Sequence, residues 1–266
     1  MSRTRGAWNT KGMWAAGVTL AAVLALTAYS LLAGNDGGGS DTPAKGAASP
    51  SASSPASPAP TYAPPADWTE PERWTALPRG QRTDERGSQV GFPHTVEGAV
   101  AMLAAANTTD IEGGRSTVDE QMRIYHSYAG KADQSAQAAE RVKAAAQQTD
   151  KTLAQEMGVS EGQPLPAGAY VRAHVIGYKV IKKSDGEVSV WLLDRVVQKN
   201  GETQKEEGSY TRTLLAAQWQ DGDWKMTADA IRQAQKDTAG QAQPPIVAPG
   251  DEEFNNGGWT AIRSAS

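Results

Sequence analysis

Tyr170-Val171-Arg172-Ala173-His174-Val175-Ile176-Gly177-Tyr178-Lys179-Val180-Ile181 decides the fold class. Tyr170, Arg172, His174, Ile176, Tyr178 and Val180 alternate with Val171, Ala173, Val175, Gly177, Lys179 and Ile181, and a period of two is the mark of a strand. Ser184-Asp185-Gly186-Glu187 then turns the chain into Val188 to Gln198, where Trp191, Leu193 and Val197 oppose Val190, Leu192 and Val196. Both faces of that strand are apolar, which predicts a central position in the sheet. Asn200-Gly201 is a hairpin signal, although the charged run Glu202 to Gly208 predicts a longer, mobile arm before Ser209 to Gln220 resumes the strand pattern. Asp221-Gly222 makes the last turn, into a short strand from Asp223 to Thr227.

Upstream of Gly168 the apolar period lengthens to that of a helix. Pro93-His94-Thr95 leads into Val96, Val100 and Leu103 on one face, with Thr95 as N-cap, Gly98 weakening the helix and Asn107-Thr108-Thr109-Asp110 ending it. Ser116 or Thr117 caps a second helix, with Glu120 completing a capping box from Thr117 and Gly130 closing it. A third runs from about Ala132 to Met157 and stops at Gly158; its thin stripe of Val142, Ala146, Thr149, Leu153 and Met157 suits a helix lying on the surface of something else. The expected fold class is therefore α+β: three helices packed on a curved four-stranded antiparallel sheet.

The ends of the chain read differently. Gly12 to Asn35 is uncharged, about 24 residues or roughly 36 Å as a helix, enough to cross a hydrocarbon core of about 30 Å. Arg3, Arg5 and Lys11 precede it and Asp36 comes after it, so positive flanks would hold the N-terminus in the cytoplasm and place the remainder of the chain outside. Ala28-Tyr29-Ser30 also offers small residues to a signal peptidase, and whether the segment anchors or is cleaved stays open. The domain plan is a cytoplasmic N-terminus at 1–11, a transmembrane helix at 12–33, a disordered Ser/Pro/Ala/Gly linker at 34–66, an exported α+β domain at 67–237 and a flexible tail at 238–266. Ile246, Val247, Phe254 and Trp259 stand in that tail as docking points.

Composition narrows the chemistry. With no cysteine, the chain has no disulfide, thiolate metal site or lipoprotein anchor. A net charge of −4 without a basic stripe disfavours direct nucleic-acid contact. His94, His126 and His174 are the three histidines, and none has the spacing of a metal or catalytic motif. Asp119 and Glu120 are explained by a helix N-terminus. Arg172, Asp194, Arg195 and Arg212 read as cross-strand charge pairs on an exposed sheet face. Trp191, Trp219 and Trp224 read as core. No catalytic, cofactor-binding or metal-ligating residue is assigned; the pocket acids an enzyme reading would need are Asp119 or His174.

Strand-turn-strand ending in Trp219-Gln220-Asp221-Gly222-Asp223-Trp224-Lys225-Met226 resembles the closing hairpin of the nuclear-transport-factor-two superfamily. Gly91-Phe92-Pro93-His94-Thr95-Val96-Glu97-Gly98-Ala99-Val100 is similar to the approach to the first helix in exported domains of this kind. Joined to a short cytoplasmic start, one membrane helix and a tether, the chain resembles the VirB-eight-like and TcpC-like conjugal transfer proteins of Gram-positive bacteria. The resemblance covers about two thirds of the chain. It implies a cone-shaped exported domain and a non-enzymatic scaffold of a conjugation or type IV secretion apparatus. Its partners would be the membrane, neighbouring secretion subunits and further copies of itself. An envelope-associated ligand-binding or transporter-accessory module is the other reading of the same plan.

Overall fold

The computed structural model describes residues 68–263. In chain order these form β1 (Trp74–Ala76), β2 (Arg82–Thr83), β3 (Gln89–Val90), α1 (Val96–Asn107), β4 (Thr109–Glu112), α2 (Thr117–Tyr128), α3 (Ala136–Glu156), β5 (Ala169–Lys183), β6 (Glu187–Asn200), β7 (Glu207–Gln220), β8 (Asp223–Met226), α4 (Ala228–Thr238), α5 (Glu252–Asn256) and β9 (Thr260–Arg263). The predicted meander is present as β5 to β8, with β6 between β5 and β7. The four-stranded antiparallel sheet with three helices is nevertheless too small and is corrected, among the described residues, to a mixed sheet of seven strands with five helices. β4 pairs antiparallel with the first part of β5, β9 pairs antiparallel with Gly177 and Tyr178, and β1 lies parallel to β9. The added strands are three or four residues long, too short for period two to be read, and Trp74 meets Ala261 only in three dimensions.

β6 explains why the sheet needs cover on both sides. Val190 and Leu192 on its inner face join a cluster with Val100, Met102 and Leu103 of α1, and Val196 joins Ile111, Leu153, Met157 and Val171 in a second cluster. Leu193, on the outer face, is buried instead with Phe254, Trp259 and Ala261. The segment expected as a flexible tail is thus the outer cover through Arg263, because it brings the apolar surface that the outer face of β6 requires. Trp259 is fully buried and its indole N–H donates to Pro245 O at 2.9 Å. Gly177 gives Phe254 its seat: a Cβ there would lie 3.3 Å from the ring.

Local sequence accounts for the helices. Thr95 caps α1 through Gly98 N at 3.0 Å. Gly98, expected to weaken α1, is required by packing, because a Cβ there would fall 1.9 Å from Pro93 O. The capping box of α2 is Ser116 with Asp119, not Thr117 with Glu120: with Ser116 as N-cap, Asp119 is the N3 residue. Asp150 of α3 accepts from Thr117 N at 2.7 Å and ties the two helices together. Ser135 caps α3, whose Val142, Ala146, Thr149 and Leu153 stripe is buried as expected.

The expected transmembrane helix at 12–33 and the linker at 34–66 lie outside the described residues. Among the described residues no helix is long and apolar enough to cross a membrane.

Candidate functional site

α1 ends over the middle of β6, and there the apolar interior is interrupted. Asp194 follows Val190 and Leu192 on the inner face of β6 and is fully buried. Its Oδ1 accepts from Asn107 Nδ2, the last residue of α1, at 2.8 Å, while Oδ2 has no hydrogen-bond partner among the described residues. Thr211 is the residue directly opposite on β7, and Thr213, two residues on, shares its face. Among the described residues both hydroxyls are buried without a partner, as is that of Thr109 on β4, which pairs with β5. Such orphans are uncommon in protein interiors, where a buried polar group without a partner costs about 1–3 kcal/mol.

Burial pushes the Asp194 carboxyl up to about 7, and the Asn107 bond pulls it only partly back. Among the described residues no arginine relieves it. The predicted row of cross-strand charge pairs does not form: Arg172 bonds Asp110 on β4 at 3.0 Å and also Glu112, and Arg195 is exposed. Arg212 points to the outer face, over the Trp191 ring and toward Pro244 O and the Gln243 side chain. Side chains alternate, so Asp194 faces inward while the arginines beside it on β6 and β7 face out.

The three histidines lie apart. His94 stacks on Trp219 with ring centroids 4.0 Å apart and bonds Asp185 O. His126 packs edge-on against Tyr125, and partial burial followed by the nearby Arg86 charge lowers its pKa. His174 is exposed. Among the described residues no group of three or more His, Cys, Asp or Glu side chains could hold a metal ion. Of the tryptophans expected in the core, Trp224 is fully buried, whereas Trp191 and Trp219 are half-buried.

Glu120 is buried, beyond what a helix N-terminus asks of it, and is matched by Arg123 at 2.8 Å and Arg115 at 3.2 Å. Arg123 also reaches Ser88 Oγ and Thr108 O. Glu120, Arg115 and Arg123 line an open groove of about 330 Å³ with Arg86, Met122 and His126. Its charges are largely consumed within the fold.

The two segments quoted for the family resemblance meet. Asp223 accepts from Gly91 N and Phe92 N, both at 3.0 Å, and the Trp224 indole donates to Pro93 O at 2.8 Å. The hairpin and the approach to α1 are one structural unit.

Comparison with known protein families, with curated proteins and with solved structures finds no match to this chain. The site that stands out is therefore the one defined by geometry: Asp194, Asn107 and the orphaned threonine hydroxyls. Sequence reading missed it. The signal was an acid at the same parity as Val190, Leu192 and Val196, the face that α1 covers.

Proposed function

We propose that this protein is a non-enzymatic assembly subunit of a conjugation or type IV secretion apparatus, acting by protein–protein contact on the extracytoplasmic side of the membrane. The observation that carries the reading is the order of the chain: Arg3, Arg5 and Lys11, then the uncharged run from Gly12, then a Ser/Pro/Ala/Gly tether, then one folded body. A body held in this way meets its neighbours at a high effective concentration, so modest contacts suffice. The long edge of β7 supports the reading. β8 pairs only with Ala217 to Gln220, which leaves β7 from Glu207 to Ala216 without a strand on its outer side among the described residues. A strand edge without a neighbouring strand can pair with another chain. The reading is tested by site-specific crosslinking from this edge in cells carrying the transfer apparatus. It expects adducts with other transfer subunits and loss of transfer on deletion; undiminished transfer in a deletion strain refutes it.

The buried polar group favours a second reading, an exported module that binds a small ligand in its interior. It predicts saturable binding by the isolated protein, independent of any transfer subunit.

A further inference from the structure

We infer that Asp194 Oδ2 and the hydroxyls of Thr211 and Thr213 form an interior site for a small monovalent cation, of the sodium, potassium or ammonium class. Such a site would exist whether or not the protein has the assembly role.

The residue type is the first indication. Leu192 and Val196 flank Asp194 on the same inner face, and a valine at 194 would avoid desolvating a charge. A carboxylate placed there, with Oδ2 and two neighbouring hydroxyls unpartnered among the described residues, is a set of oxygen donors on the same inner face. Hard cations take oxygen ligands, and a hydroxyl can offer its lone pairs to one while its proton points away. A single carboxylate suits one positive charge: the ion replaces the carboxyl proton, and the site stays neutral overall. Asn107 holds Oδ1 at 2.8 Å and fixes the plane of the carboxylate, which leaves Oδ2 for the guest.

Other charged groups on the packed elements are already engaged. On α2, Glu120 pairs with Arg123; Asp150 of α3 caps α2. Glu156 of α3 accepts from Gln198 at 3.2 Å. Asp110 and Glu112 hold Arg172, and Arg212 lies on the outer face. None of these contacts supplies the counter-charge for Asp194.

The test is thermal unfolding of the full chain in nonionic detergent at about pH 8.5, where Asp194 is ionised. The chloride concentration is fixed and the cation is sodium, potassium, ammonium or choline, the last too large for the site. The site predicts a midpoint at least about 3 °C higher in one of the small cations than in choline. The difference should vanish in Asp194→Asn and shrink in Thr211→Val, which keeps the shape of the strand if the first variant folds poorly. Equal midpoints in all four chlorides, or the same selectivity in both variants, would overturn the inference and leave the carboxyl proton as the only guest.

Discussion

Replacing Asp194 by asparagine should stabilise the protein at neutral and alkaline pH, against the usual outcome for a fully buried, hydrogen-bonded residue. The folded carboxyl titrates at about 7, while in the unfolded chain it returns to near its ordinary value of 3.8. Between those values the native state holds the proton and the unfolded state has released it. Stability therefore falls as pH rises through this window and levels off above the folded midpoint. A window of roughly three pH units at about 1.4 kcal/mol each gives a penalty near 4 kcal/mol at pH 8, undiscounted because the group is fully buried. Asparagine keeps the shape and a partner for Asn107 but never ionises. Urea unfolding of both proteins at about pH 4 and pH 8, with choline as the only added cation, reads this directly. The variant should be close to the parent at the lower pH and more stable by several kcal/mol at the higher. Parallel pH profiles, or a variant weaker at both values, would refute the reasoning that a lone buried acid sits between α1 and β6.

Other substitutions probe the packing. Gly98→Ala, which helix propensity alone would favour by about 1 kcal/mol, should destabilise, because the added Cβ meets Pro93 O; a higher urea midpoint would contradict this. Trp259→Ala should cost about 3–5 kcal/mol in equilibrium unfolding by opening the cluster with Leu193 and Phe254. Asp223→Ala leaves the N–H groups of Gly91 and Phe92 without their acceptor and should cost about 2–4 kcal/mol by the same measurement, with Asp223→Asn recovering part of it.

Legibility in the sequence depends on range. β5 through β8 and helices α1, α2 and α3 were legible because each repeats its period over many residues or ends in a turn with its own chemistry, whereas α4 (Ala228–Thr238) was not read. Asp221-Gly222 is one such turn, with positive φ at both residues. β1, β4 and β9 were not, since their partners lie far away in sequence. The tail reads as loose because its apolar residues are scattered; Phe254 and Trp259 acquire a common face only when α5 and the Pro245 contact bring them against Leu193. Asp194 was misread for a related reason. Arg195 beside it suggested an exposed face, yet neighbouring residues on a strand face opposite ways, and its parity with Leu192 was the better guide. Glu120 shows the same limit, since only the fold brings Arg115 and Arg123 onto it.

We propose that the folded body works on the extracytoplasmic side of the membrane, joined to it through the N-terminal segment. Protease added to intact cells stripped of their wall measures it most directly, with antibody against the body as the readout. The predicted result is loss of the full-length chain while cytoplasmic markers survive. A body that resists digestion until the cells are lysed would contradict it.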